Sequence, residues 1–197
     1  PAIADSFKDL NVPPDFSWNN THQAVINVNI LDHQGNPSSS FDGEPIDITD
    51  MDGDRIDRMT IFDGNASFSV KLPFDVTSLK IYSPVYDVYQ DLDLENTEVS
   101  FTMPQQRNDF SSLPDSDADK VPDIYDDFPN DAERAYGVSW PHEKSNRVWP
   151  SGQKYAYQIY EDLWPSTGDY DFNDFVFANK LDWQRGQANK IVGGSVT

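Results

Sequence analysis

One stretch of the chain, residues 115–133, has a residue pattern suited to binding a metal ion. It reads DSDADKVPDIYDDFPNDAE and contains eight acidic residues and a single basic one, Lys120. Counted from Asp115 as position 1, oxygen donors fall at positions 1, 3, 5, 7, 9 and 12, namely Asp115, Asp117, Asp119, the carbonyl of Val121, Asp123 and Asp126. Donors with this spacing can surround one hard cation such as calcium. Without a cation these carboxylates would repel one another. The spacing therefore predicts a calcium-binding loop over residues 115–126, called the acidic loop below.

The acidic loop departs from the EF-hand pattern at three positions. Lys120 stands at position 6, where glycine is usual because the backbone turns sharply there. Asp126 stands at position 12 instead of the longer glutamate, and Pro122 disfavours a helix in the second half. We expect a calcium loop without flanking EF helices, similar to the repeats of thrombospondin type 3 and dockerin modules. The alternative is a solvated acidic linker.

A second group of oxygen donors alternates with aromatic residues in GDYDFND, residues 168–174. In an extended segment the acidic side chains would share one face, while Tyr170 and Phe172 would share the other. The pattern predicts a second metal site whose candidate ligands are Asp169, Asp171, Asn173 and Asp174, with Glu161 and Asp162 as further candidates. The alternative is a polar turn in which Asp and Asn side chains cap backbone amides.

A third acidic run repeats the spacing of the first three ligand positions. It contains Asp50, Asp52 and Asp54, and Asp57 or Asp63 would have to supply the closing ligand. Position 12 would be Ile61, which has no side-chain donor, and the alternative is a charged hairpin loop partly neutralised by arginines. Within residues 115–133, Asp127 and Asp131 are additional weaker candidates.

The same residues give little support for catalysis. Glycoside hydrolysis requires two carboxylates on either side of a sugar, whereas alternating aspartates repeat as ligands do. The three histidines, His22, His33 and His142, lack zinc-site spacing, and the chain has neither a G-x-S-x-G motif nor a phosphate-binding glycine loop. We predict that the protein is not an enzyme, with a glycoside hydrolase as the weaker alternative.

Composition limits the possible partners. The formal charge is −20, from 14 basic and 34 acidic residues, which opposes binding to nucleic acid and to anionic membranes. The chain has no cysteine, which excludes thiol chemistry and disulfides, and it has no run of 18 apolar residues that would predict a membrane span. Of the 34 acidic residues, 21 lie in 42–63, 115–133 and 161–174. This clustering favours metal ligands over a uniformly acidic surface.

Alternating apolar residues predict the strands that position these groups. Ala24, Ile26, Val28 and Ile30 share one face, and similar short runs recur near residues 68–72, 79–81, 99–103, 155–159 and 175–177. Turn-forming residues separate the runs, so we predict an all-β protein: an antiparallel β-sandwich followed by a second β-rich, sandwich- or jelly-roll-like domain. The predicted divisions are an extended lead-in (1–21), the first sandwich (22–104) and the loop with the second domain (105–197).

Two resemblances accompany this prediction. The turn DHQGNP followed by DGNASF resembles the carboxypeptidase-regulatory-like, transthyretin-like β-sandwich, although the glycine of the second motif is displaced. The segments DSDADKVPDIYDDFPND, EDLWP and GDYDFND resemble the LruC-type domain of secreted bacterial proteins, over roughly residues 110–197. A domain of that family would continue past Val196, so we expect this chain to be a fragment or to end at an early stop. The resemblance implies an exported, surface-associated, β-rich protein with calcium sites formed by the ligands named above.

The resulting hypothesis is a calcium-binding structural or adhesive protein, located outside the cell or on the surface of a bacterial outer membrane. Millimolar extracellular calcium suits acidic loops of modest affinity. We expect a monomer whose calcium ions stabilise the acidic loops and the domain junction, with a surface glycan or protein as partner. The alternative is a carbohydrate-binding module in which Trp140, Trp149 and Trp164 stack on sugars, although these rings could instead fill the core.

Overall fold

The computed structural model describes residues 21–107, 109–140, 156–160 and 175–196. In this part of the chain there are β-strands and one short 3-10 turn (Phe110–Ser112) but no α-helix, which confirms the predicted all-β class. No helix within these ranges is long and apolar enough to cross a membrane. The predicted lead-in lies outside the described residues, apart from Thr21.

The strands are β1 (Thr21–Leu31), β2 (Pro45–Thr49), β3 (Arg55–Thr60), β4 (Asn65–Pro73), β5 (Ser78–Ser83), β6 (Val88–Asp93), β7 (Glu98–Thr102), β8 (Tyr136–Trp140), β9 (Ala156–Tyr160), β10 (Phe175–Asn179), β11 (Leu181–Arg185) and β12 (Ile191–Val196).

The first seven strands form a sandwich-like pair of sheets with the orders β4-β1-β7 and β3-β2-β5-β6. All pairings in these sheets are antiparallel except one, because β7 runs parallel to the second half of β1. A parallel pair requires a crossover connection, and here strands β2–β6 provide it. This parallel pair departs from the purely antiparallel sandwich predicted from the sequence.

The core of this sandwich follows the predicted alternation. Ile26, Val28 and Ile30 of β1 are buried together with Phe68 of β4 and Ile81 of β5, in one apolar cluster that draws on both sheets. The polar side chains between them on β1 and β4 face outward, for example Gln23, which donates a hydrogen bond to Ser69 Oγ at 2.7 Å. Burial of one face of each strand is the main stabilising term for such a domain.

The later strands form two smaller sheets, β12-β11-β8 and β10-β9. Within the described ranges, the buried residues of the apolar cluster near β8 are Val121, Ala135 and Tyr136, and Tyr125 packs against them. β8 lies beside β3, the edge strand of the second sheet of the sandwich. The division of the chain into two domains at residues 104 and 105 stays a prediction.

Candidate metal centre

The first half of the acidic loop is wound around the carboxylate of Asp115. The two carboxylate oxygens of Asp115 accept the backbone N–H groups of Ala118 at 2.8 Å and of Lys120 at 3.0 Å. To reach these bonds, Ala118 and Lys120 adopt positive φ angles of 64° and 81°. The sharp turn at position 6 is therefore made by lysine, in a backbone conformation that glycine would adopt at lower cost.

This winding brings three carboxylates together. Single oxygens of Asp115, Asp117 and Asp119 lie within 4.8 Å of one another, and no other group of three acidic, histidine or cysteine side chains does so in the described ranges. One oxygen of Asp117 accepts the N–H of Asp119 at 3.2 Å, and one oxygen of Asp119 accepts the N–H of Val121 at 2.7 Å. The second oxygen, Oδ2, of both Asp117 and Asp119 is buried without a hydrogen-bond partner.

Asp126, at position 12, also has a buried oxygen without a partner, although it does not join the group of Asp115, Asp117 and Asp119 that lies within 4.8 Å. Its residue is only 9% exposed, its Oδ1 accepts the N–H of Phe128 at 2.7 Å, and its Oδ2 is buried without a partner. Burial, with added repulsion from Asp119 and Asp117, raises the pKa of Asp126 to about 7. Burial also raises the pKa of Asp119, and the charges of Asp117 and Asp115 act in the same direction. These shifts mean that the negative charge of these carboxylates is disfavoured here, because no group compensates it.

Asp123, at position 9, has a different role from the one the spacing predicts. Both of its oxygens accept hydrogen bonds from Ser116, one from the backbone N–H and one from the hydroxyl, each at 2.7 Å. Its own N–H donates to the carbonyl of Pro114 at 2.9 Å. Asp123 therefore joins the two halves of the loop. At this position in calcium loops the ligand is often a water molecule, which Asp123 could still orient. Val121, whose carbonyl is the predicted donor at position 7, is fully buried.

The two weaker candidates in this stretch form ion pairs with arginines. Asp127 Oδ2 accepts Arg55 Nη2 at 2.5 Å and the N–H of Gly137 at 2.9 Å. Asp131 Oδ2 accepts Arg134 Nη2 at 2.6 Å, and this hydrogen bond lowers the pKa of Asp131. Neither carboxylate joins the group formed by Asp115, Asp117 and Asp119.

The third acidic run forms a hairpin turn between β2 and β3. Asp50 Oδ1 accepts the N–H groups of Asp52 at 3.0 Å and Asp54 at 2.9 Å, and Gly53 turns the chain with a φ of 92°. Asp57 lies further along, in β3, where it is buried and ion-paired with Arg185. The structure therefore does not bring these four aspartates together as ligands of one ion.

The remaining predicted residues cannot be placed. The second predicted site, Asp169, Asp171, Asn173 and Asp174 with Glu161 and Asp162, lies outside the described residues, as do Trp149 and Trp164. Trp140 is the last residue of β8, and only its backbone is described. A second metal site and sugar stacking by these tryptophans stay predictions.

Ser116 and Arg58 contact the acidic loop, and the sequence pattern did not predict either contact. Ser116 fixes Asp123, and Arg58 of β3 donates to the carbonyl of Tyr125 at 2.9 Å while pairing with Asp47 at 2.6 Å. Ser116 lies inside the recognised motif, but serine has no fixed place in the ligand spacing. Arg58 is distant in sequence, so no local pattern could indicate its contact with the loop.

The donor set fits a hard, oxygen-preferring cation. The acidic loop offers carboxylate oxygens and no nitrogen or sulfur ligand, which suits calcium or magnesium and disfavours zinc. A loop of several flexible carboxylates suits calcium better than magnesium, which requires near-ideal octahedral geometry and retains its water. Comparisons with protein-family models, with curated proteins and with solved structures found no match for this chain.

Proposed function

We propose that the acidic loop binds one calcium ion, and that the protein is a calcium-binding structural or adhesive protein rather than an enzyme. The observation that carries this proposal is the set of three buried carboxylate oxygens without partners, on Asp117, Asp119 and Asp126. A buried charge is costly unless it is paired or coordinated. A single cation bound by Asp117 and Asp119 would supply a partner for both of their oxygens, and closure of the loop on the ion would bring the oxygen of Asp126 to it.

Four aspartates of the acidic loop would each contribute one ligand to the calcium ion. Asp117, Asp119 and Asp126 would each contribute the oxygen that now lacks a partner, and Asp115, already holding the turn, would contribute a lone pair of an oxygen that accepts a backbone N–H. Carboxylate oxygens have more than one acceptor site, so a hydrogen bond does not prevent ligation. Val121 through its carbonyl and water molecules would complete the six to eight oxygens that calcium takes.

Calcium would stabilise the region by binding only the folded loop. An ion bound by the folded state alone raises the free energy of unfolding in proportion to the logarithm of its concentration. The acidic loop lies between the seven-stranded sandwich and β8, so the stabilised segment is the connection between them. We propose that this connection, the predicted domain junction, is the part that calcium makes rigid.

The proposed location is outside the cell or on a bacterial surface. A loop that requires about millimolar calcium would be filled there and largely empty in a cytoplasm. The resemblance of DSDADKVPDIYDDFPND to the LruC-type domain points in the same direction. The proposed partner is a surface glycan or protein.

Calorimetric titration of the full chain with calcium and with magnesium, after chelator treatment, tests the proposal. We expect the Asp117→Asn, Asp119→Asn double variant to bind one calcium ion fewer than the unaltered protein, whether or not the second predicted site also binds calcium. Asp91→Asn is a matched control, because Asp91 is an exposed aspartate on β6. An unchanged number of calcium sites in the double variant would place the site elsewhere, and no binding to the unaltered protein would refute the proposal.

A further inference from the structure

The edge of β3 is covered by a side chain that imitates a neighbouring strand. β3 is the outer strand of the order β3-β2-β5-β6. The N–H of Thr60 donates to Asn189 Oδ1 at 2.8 Å, and Asn189 Nδ2 donates to the carbonyl of Thr60 at 2.8 Å. The amide of Asn189 thus satisfies both backbone groups of Thr60, as a paired strand would. Exposed edges of this kind are otherwise free to pair with other chains.

Further contacts join β3 to the same part of the chain, which we call the cover and define as residues 135–138 and 181–190. Arg185 of β11 forms a buried ion pair with Asp57 of β3, and the hydroxyl of Tyr136 lies 3.0 Å from Thr60 Oγ1. Among the described residues, the buried apolar cluster at the cover consists of Val121, Ala135 and Tyr136. These polar contacts contribute to the attachment between the cover and β3.

The acidic loop is directly connected to this attachment. Asp127, the residue after the ligand Asp126, accepts Arg55 of β3 at 2.5 Å, and its N–H donates to the carbonyl of Ala135 in the cover at 2.9 Å. Ala135 in turn donates its N–H to the carbonyl of Arg185 at 2.7 Å. Tyr125, on the other side of Asp126, accepts Arg58 of β3 through its carbonyl. A displacement of Asp126 would therefore move both neighbours that hold β3.

We propose that a cation in the acidic loop keeps the cover attached to β3, and that loss of the cation releases the cover and exposes the β3 edge. This inference rests on the proposed calcium binding. Without the ion, the unpartnered carboxylates repel one another, and outward movement of Asp126 relieves that repulsion. Tyr125 and Asp127 move with it and weaken the contacts with Arg58 and Arg55. A unit that is attached partly by polar contacts can open locally while the sandwich core stays folded.

Ion binding and attachment of the cover to β3 must affect each other equally. If the ion strengthens attachment of the cover by some factor, attachment of the cover strengthens ion binding by the same factor. A substitution at Asn189, 63 residues after Asp126 in the numbering, should therefore weaken calcium binding without touching a ligand. No direct electrostatic effect could account for such a change, because replacing asparagine with glycine leaves the charge unaltered.

Amide hydrogen exchange of the full chain, with calcium and with excess chelator, measures release of the cover. We expect the Thr60 amide to exchange at least about tenfold faster without calcium, since its acceptor is Asn189. The amides of β1 serve as the internal reference, because they lie in the other sheet of the sandwich and should keep their protection. Equal acceleration in β1 would indicate global loosening and overturn the inference, as would unchanged exchange of Thr60.

Calcium titration of Asn189→Gly tests the reciprocal effect. Glycine suits the φ of 59° at this position, so the turn should persist while both bonds to Thr60 are lost. We expect the Kd for calcium to rise about fivefold or more. The matched control is Gln90→Ala, which removes a neutral amide that bonds to the Ser100 carbonyl within the sandwich; its Kd should not change.

A second, milder variant covers the case in which Asn189→Gly does not fold. Tyr136→Phe removes only the hydroxyl that contacts Thr60, and it should raise the Kd in the same direction. An unchanged Kd in the folded variants would overturn the proposed coupling while leaving calcium binding intact. Absence of calcium binding by the unaltered protein would instead refute the proposed function, so the two failures are distinguishable.

Discussion

Substitution of Asp126 by asparagine should stabilise the calcium-free protein and remove most of the stabilisation that calcium provides. In the calcium-free protein, burial raises the pKa of Asp126 to about 7 from an ordinary value of 3.8. The pKa of Asp126 is thus higher in the folded protein than in the unfolded chain. Protonated Asp126 therefore adds its full contribution to the free energy of unfolding below about pH 3.8, and this contribution is lost as the pH rises through about 7. At pH 8 in chelator the ionised carboxylate therefore destabilises the fold, and Asp126→Asn removes that charge.

The size of the effect follows from the same pKa. The difference from 3.8 corresponds to about 4 kcal/mol at about 1.4 kcal/mol per pKa unit, and we reduce this to about 2 kcal/mol for solvent screening near the surface. In chelator at pH 8, Asp126→Asn should thus raise the free energy of unfolding by about 2 kcal/mol. At pH 4 the two proteins should differ much less.

Calcium should nearly cancel the stability advantage of the variant, because the parent gains more from the added ion. At a calcium concentration about 100 times the Kd, binding adds about 2.7 kcal/mol to the free energy of unfolding. If loss of one of four carboxylate ligands weakens binding about 100-fold, the same concentration adds only about 0.4 kcal/mol to the variant, from the same relation. The calcium-induced gain should therefore nearly vanish in Asp126→Asn.

Urea unfolding at 25 °C, in chelator and in calcium, measures both quantities. Asp91→Asn carries the same change of charge at an exposed position and should keep the calcium-induced gain. Two results would refute the reasoning. One is a variant that is less stable than the parent in chelator at pH 8. The other is a variant that gains as much from calcium as the parent does.

Three further predictions concern other buried or strained groups. Arg185→Met leaves Asp57 buried without its partner and should lower the free energy of unfolding by about 3 kcal/mol or more in urea titration. Glu44 is buried, and burial raises its pKa to about 7. The protonated side chain therefore contributes fully to the free energy of unfolding below about pH 4.5, and this contribution is lost as the pH rises through about 7. Glu44→Gln should therefore add about 2 kcal/mol at pH 8 and almost nothing at pH 4. Lys120→Gly relieves the φ of 81° and should add about 0.5–1 kcal/mol in chelator without weakening calcium binding.

A control variant or a specific result would contradict each of these three predictions. Arg107→Met breaks an exposed ion pair with Asp109 and should matter much less than Arg185→Met; equal effects would mean that burial of the Asp57 pair is not decisive. Glu95→Gln, at an exposed position, should not alter the pH dependence, and an unaltered dependence in Glu44→Gln would exclude Glu44 as its source. A destabilised Lys120→Gly would show that the lysine side chain contributes more than its backbone strain costs.

The local features of this protein could be predicted from its sequence. The alternation in Ala24–Ile30 predicted β1 and its buried face, because in a strand successive side chains point to opposite sides. The spacing of Asp115, Asp117 and Asp119 predicted a clustered carboxylate group, because residues so close in the chain are brought together by a single turn. These features depend on a few residues that are close in the chain, so a local sequence pattern is enough to predict them.

The tertiary structure decided which acidic residues have partners. Asp57 has the same residue type as the predicted ligands, yet Arg185, 128 positions away, pairs with it. Asp127 is paired by Arg55 across 72 positions, whereas Asp126 beside it retains an oxygen without a partner. Such pairings depend on which strands the fold places together, as does the parallel contact of β7 with β1. Sequence spacing can therefore indicate candidate ligands. Long-range contacts determine which of these carboxylates lack a protein partner, so that a cation could neutralise their charge.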